Sequence, residues 1–342
     1  MMKQSIVTAS KVIRVSFILI LVLFLSVLLS LVIGAADIGL LRGLKGLLYG
    51  WHEGAAFLTD SEKTILFSVR LPRILFAAIV GASLSSAGVV FQGLLRNPLA
   101  EPFILGVSGG AAVGAIAGIL LGIAALPFGL PLLAFLGSAV TVILVFLVGK
   151  GKSGINSHTL LLAGVIINAF FSAIIMFLIS ISSSADLHTI TFWLMGDLSI
   201  AYSREIVVAG VFLMVSFLVV YAYARPLNLI IGGEETAMQL GVNVEWTKIV
   251  LFLAGSFMTA VAVSFAGIIG FVGLIVPHMM RMLLGSDHRL LMPASFLFGA
   301  TFLVVADTIA RVMIPHAELP VGVVTALCGA PYFIYLLKTR MA

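Results

Sequence analysis

Charge is scarce in this sequence. Only 10% of its 342 residues are Asp, Glu, Lys or Arg, while 61% are hydrophobic; a soluble domain of this size carries roughly 25% charge. The shortage excludes a water-soluble globule and leaves an integral membrane protein. Cysteine is nearly absent as well. The single Cys328 lies in an apolar run, which rules out an internal disulfide. Paired carboxylates, metal-ligand spacings and nucleophile–base arrangements are all missing, and the six histidines are scattered. His278, directly after Pro277, reads as a packed polar residue rather than a ligand. A complete phosphate-binding loop is missing too. Gly151-Lys152-Ser153 could close one, but the position of its first glycine holds Phe146, inside an apolar run. Lys150 and Lys152 then read as anchors at a membrane edge. These absences point away from an enzyme. They imply no metal and no cofactor on this chain.

What is present is a series of apolar runs. The expected architecture is an all-α integral membrane protein of about ten transmembrane helices, forming one transmembrane domain over residues 1–342. The runs cover Ser16–Ile33, Leu71–Leu95, a third starting near Pro102, Phe128–Val148, Thr159–Ile179, Ile206–Ala224, Ile249–Gly267, Gly270–Leu284, Leu291–Met313 and Pro320–Leu337. The first follows Lys3, Lys11 and Arg14 and is long enough to span, so it reads as a retained helix rather than a cleaved signal. Between the first two runs, Ile38, Leu41, Leu44, Leu47 and Leu48 recur at helical spacing before Trp51, which suggests a helix lying in the interface. Arg70-Leu71-Pro72-Arg73 opens the second run, with Pro72 suited to a first helical turn. Phe192 to Leu198 reads as a half-buried interfacial segment, and Ile314 to Leu319 as a tight turn. The eighth run is short and contains Pro277, so it is tilted, partly unwound or incomplete across the bilayer. Gly106, Gly110, Gly114, Gly118 and Gly122 stand four apart in the third run. That spacing predicts a bare stripe on one helix face, where a second helix approaches closely. Of the nineteen Lys and Arg residues, twelve fall on the side shared by both termini, which the charge bias assigns to the cytoplasm.

The polar stretch Arg225–Lys248 belongs to that cytoplasmic side. Gly232-Gly233 breaks it, Glu234 and Glu235 fall in the first turn of a new helix, and Gly241 stops that helix. A helix this short is unstable alone and needs a surface to pack on; Ala237, Met238 and Leu240 are its apolar residues. Such an element is a plain connector or a docking element for a soluble partner. One acid lies deep in a span. Asp307 stands four residues before Arg311, and inserting it unpaired would cost roughly 2.5–3.5 kcal/mol. An intrahelical pair with Arg311 accounts for it; a proton or ion relay, hence a secondary transporter driven by an ion gradient, is the alternative. On the outer side, Arg70, Arg73 and Arg311 are either helix-end anchors or a positive rim.

Particular residue strings carry a family likeness. Arg70-Leu71-Pro72-Arg73, Arg96-Asn97-Pro98-Leu99-Ala100-Glu101-Pro102 and Leu105-Gly106-Val107-Ser108-Gly109-Gly110 mark the first half. Trp193-Leu194-Met195-Gly196-Asp197-Leu198, Ala237-Met238-Gln239-Leu240-Gly241, Gly270 to His278, Gly285-Ser286-Asp287-His288-Arg289, Ala306 to Arg311 and Glu318 to Gly322 mark the second. In these the chain resembles the FecCD family, permease subunits of bacterial ATP-driven importers for iron–siderophore complexes, haem and vitamin B12. The resemblance implies a dimeric, vitamin B12 importer-like permease, as homodimer or related heterodimer, in the bacterial cytoplasmic membrane. It also implies two ATP-binding subunits inside and a periplasmic or lipoprotein substrate-binding protein outside, with no nucleic-acid partner. The cargo implied is a metal chelate, an iron–siderophore first and corrinoid or haem next. The segment Ala237–Gly241, with Glu234 and Glu235 before it, matches the family's element for coupling to the ATPase, within residues 225–248. Arg70, Arg73 and Arg311 match positions that meet acidic residues of the binding protein.

Overall fold

The computed structural model describes residues 7–34, 58–151, 154–155, 157–199, 203–314 and 319–341. The expected interfacial helix around Ile38–Leu48 lies outside the described residues, as do Lys152, Ser153 and most of the Ile314–Leu319 turn. Apolar periodicity and scarce charge produce a helical bundle. Its order is α1 (Ala9–Val32), α2 (Asp60–Leu94), α3 (Val107–Leu120), α4 (Gly129–Gly149), α5 (Ser157–Ser180), α6 (Ser184–Leu194) and α7 (Ser203–Ala222). Then follow α8 (Ala224–Gly232), α9 (Glu234–Gln239), α10 (Val244–Ala266), α11 (Val272–Leu284), α12 (His288–Val312) and α13 (Val321–Met341). Among the described residues, seven helices are long and apolar enough to cross a membrane, and shorter apolar helices stand at α3, α11 and in α13. Every one of the ten apolar runs is thus a helix. A two-residue antiparallel pairing, Lys150 with Ile155 and Gly151 with Gly154, closes the α4–α5 connection.

The long helix α2 is the centre of the bundle. It packs on α12, α10, α11 and α7, and every residue from Val80 to Leu95 is buried. A helix buried on all sides needs small residues where backbones meet and internal partners for its hydroxyls. Both are present. A methyl group on Gly81 would collide with the carbonyl oxygen of Gly299 in α12, and one on Gly88 with that of Gly273 in α11. Ser83 donates to the Met258 carbonyl and Ser85 to the Ser295 carbonyl, each at 2.8 Å.

One local expectation changes. Helix α2 begins at Asp60 rather than at Arg70, because Thr59 and Glu62 form a reciprocal capping box. Pro72 therefore lies inside a continuous helix and not at its start. The turn before it, Thr64–Arg70, is π-helical, and the Leu71 N–H bonds to the Leu66 carbonyl; that wider turn absorbs the proline. At 35 residues, α2 is roughly 50 Å long, well beyond the ~30 Å hydrocarbon core. In the Phe192–Leu198 segment Trp193 is buried, with the following Gly196 at φ +80° and the Asp197 N–H on the Ala266 carbonyl at 2.9 Å. The segment is half-buried, as expected: Phe192, Leu194, Met195 and Asp197 stay partly exposed. Of the alternatives for the short eighth run, incompleteness fits: it is a helix with Pro277 inside it, entered from the non-helical segment Gly267–Phe271. At 13 residues it covers about 20 Å, so it crosses only part of a bilayer.

The glycine stripe divides in two. Gly110 and Gly114 face α4: a methyl on the first would strike Thr141 and Gly137, and on the second the Leu133 carbonyl. Gly118 is looser, 3.0 Å from a Leu133 methyl. Gly106 and Gly122 are not on the stripe. Both sit at helix ends with φ +75° and +70°, a left-handed conformation that glycine adopts without penalty.

Candidate functional site

Two polar clusters stand at opposite ends of α2 and α12. The first surrounds α9. Helix α7 breaks at Tyr223 into α8, whose Ala224, Leu227 and Ile230 recur every three residues and are buried. Gly233, at φ +145°, then turns the chain into the six-residue α9, and Gly241, at φ +84°, turns it out again. Ala237 is fully buried in a small cluster with Ile230 and Val244. Met238 and Leu240 point the other way, 55% and 62% exposed, beside Trp246 at 56%. Glu235 is exposed. Glu234 turns inward: one carboxylate oxygen accepts from Arg96 at 3.2 Å and the other from Lys248 at 2.7 Å. Arg96 also donates to the Ile230 carbonyl at 2.7 Å.

A second knot fastens α8 to the start of α12. The Asn228 amide donates to Asp287 at 2.8 Å, and its oxygen accepts the His288 N–H at 2.9 Å. Arg289 grips Asp287 through Nε and Nη2, the shortest contact being 2.6 Å. That hydrogen bond holds the Asp287 carboxyl down to about 2, against partial burial, which pushes it up. Sequence reasoning placed Glu234 and the apolar residues of α9 but missed Arg96, Lys248, Asn228 and Asp287. Their strings were visible; their meeting across 14, 59 and 138 residues of chain was not.

The cluster at the other end holds the three outer arginines. Arg73 Nε lies 2.9 Å from Asp307 Oδ1 and Arg311 Nε 3.0 Å from Asp307 Oδ2, with Asp307 fully buried. Arg70 donates to the carbonyls of Leu31 and Val32 at 2.8 and 2.9 Å, and Arg311 to the Ser30 hydroxyl at 2.7 Å. Arg70, Arg73 and Arg311, expected as helix-end anchors or a positive rim, are all buried, at 5%, 8% and 7% exposure. The physical reason is that the last carbonyls of α1 lack helical partners and carry the negative end of its dipole. Together with Asp307 they offer internal acceptors that outcompete water. His278 is buried against the rings of Phe333 and Tyr332. Among the described residues, no group of three or more His, Cys, Asp or Glu side chains is placed to hold a metal.

A bundle of this kind, with small-residue helix contacts and an exposed short helix on one face, is that of a multi-span membrane protein. The chain belongs to the FecCD transport family, whose model matches residues 20–339. It is 44% identical over 281 residues to a cobalamin import system permease protein of Halobacterium salinarum, covering 82% of this chain and 75% of that one. A hemin transport system permease protein of Yersinia pestis is 39% identical, over 93% and 95% of the two chains. A vitamin B12 import system permease protein of Escherichia coli is 40% identical, over 84% and 87%. Among solved structures, a transporter described as being of the metal-chelate type, in an inward-facing conformation, superposes with a TM-score of 0.80. It is 34% identical and covers 95% of this chain and 99% of that one. The chain is a multi-span permease subunit of an ATP-binding cassette importer.

Proposed function

We propose that this permease moves a metal chelate across the bacterial cytoplasmic membrane into the cell, as one of two copies flanking a shared pathway. Cobalamin and hemin are the chelates named among its relatives, so we place corrinoid and haem ahead of an iron–siderophore. Two ATP-binding subunits dock on the α9 face and supply the energy; a binding protein delivers the chelate to the opposite face. The observation that carries this reading is α9 itself. A six-residue helix anchored by Ala237 while presenting Met238 and Leu240 outward is a surface built for an apolar socket. A connector has no need to expose it. The alternative, a transporter driven by an ion gradient through Asp307, is disfavoured because both carboxylate oxygens of Asp307 face guanidinium nitrogens. On the opposite face, Arg70, Arg73 and Arg311 act by holding the surface together, since meeting a binding protein directly would strip them from α1 and Asp307.

The test is Met238→Glu and Leu240→Glu in the chain co-expressed with its ATP-binding subunits. Each puts a charge against an apolar socket, a cost of several kcal/mol when buried. Both variants are expected to insert normally, lose co-purification with the ATP-binding subunit and stop uptake of labelled cobalamin or haemin. Unchanged assembly and uptake would return α9 to a connector.

A further inference from the structure

The backbone on either side of α9 is poorly suited to carrying a push. It breaks at Tyr223, at Gly233 with φ +145° and at Gly241 with φ +84°. A partner pressing on α9 would bend the chain at these joints unless side chains bypass them. The side chains do so at two points. Glu234 joins α9 to the end of α2 through Arg96 and to α10 through Lys248, whose side chain is only 9% exposed. Asn228 joins α8 to the start of α12 through Asp287 and the His288 N–H.

Two of the helices so gripped, α2 and α12, are packed closely against each other. Along their length α2 and α12 meet backbone to backbone at Gly81 and Gly299, and Ser85 crosses to the Ser295 carbonyl at 2.8 Å. At their far end Asp307 of α12 is clasped by Arg73 of α2 at 2.9 Å and by Arg311 of its own helix at 3.0 Å. The pair is therefore tied at both faces and packed tightly between them. Close-packed interfaces of this kind shift as units rather than deform continuously.

We propose that Glu234 and Asn228 form a two-point clamp that makes α2 and α12 a single lever, carrying motion of α9 to the opposite face of the membrane. The clamp rests on the proposed function, in that α9 is taken as the site where the ATP-binding subunits dock. Lys248, Asn228 and Asp287 are positioning residues here. They touch neither ATP nor cargo, and they decide whether events on one face are felt on the other.

The experiment uses the assembled importer in lipid, with ATP as the probe and the binding protein added from the opposite side. The readout is the factor by which the binding protein changes ATP hydrolysis, a signal that must cross the membrane. Asn228→Leu and Lys248→Met are expected to keep assembly and basal hydrolysis while cutting that factor by at least about fivefold, the lower edge of a typical allosteric coupling. Lys248→Arg, which keeps the charge, is expected to retain it. Full stimulation in both Asn228→Leu and Lys248→Met would overturn the clamp. Loss of assembly in both would also overturn it, by making the contacts merely structural. Met238→Glu run in parallel separates the two proposals. If Met238→Glu still assembles, the docking reading falls. If it dissociates while the clamp variants keep full stimulation, only the clamp does.

Discussion

Asp307 shows how much a single residue can organise in a low-dielectric setting. It is fully buried and lies within 3.0 Å of a guanidinium nitrogen on each of two arginines. Removing one partner from such a group leaves an uncompensated buried charge, which typically costs about 3–5 kcal/mol. Asp307→Asn is therefore expected to lower the thermal stability of the detergent-solubilised chain sharply, by freeing two arginines at once. An unchanged melting curve would show that the arginines are compensated by other groups. The Asp307–Arg311 half of this cluster was legible, because residues four apart share a helix face. The Arg73 half was not, since 234 residues separate it from Asp307. The sequence marked Arg70 and Arg311 as outer basic residues; only the fold supplied the α1 carbonyls that draw them inward.

At the scale of the element, spacing told most about contacts between helices. Glycines four apart in α3 implied a close neighbour, and α4 meets Gly110 and Gly114 there. Gly110→Leu or Gly114→Leu should push the two helices apart and reduce folded yield and thermal stability. Gly122→Ala has open space around its side chain but a left-handed backbone, so it should cost only the conformational term, on the order of 1 kcal/mol. Equal stability of all three variants would mean that α3 and α4 do not rely on this contact. Helix starts were less legible. The capping box at Thr59 and Glu62 was readable as a pattern, yet the proline at position 72 drew the expected start ten residues too late. A π-turn that absorbs a proline leaves no mark in hydrophobic periodicity. Helix α8 was missed for a related reason: Arg225 and Asn228 made its stretch look like a polar connector, while Ala224, Leu227 and Ile230 quietly supply its buried face.

For the molecule as a whole, the absence of a complete phosphate loop has a direct consequence. The purified chain alone should hydrolyse no ATP, and activity should appear only on adding the ATP-binding subunits. Hydrolysis that scales with this chain and survives further purification would refute that. Composition by itself determined that the chain is a membrane protein, because too little charge is present to solvate a surface of this size. Hydrophobic run lengths marked the ten apolar helices, since the bilayer sets how long an apolar segment must be. The polar interruption determined where α9 lies, because glycines and acids mark helix ends locally. Only the tertiary structure decided which helix is central, which arginines are buried, and how α9 is fastened. Those outcomes depend on pairings such as Lys248 with Glu234, Asn228 with Asp287 and Arg73 with Asp307. The last two join residues 59 and 234 positions apart, and no local pattern specifies a partner that the chain brings near only by folding.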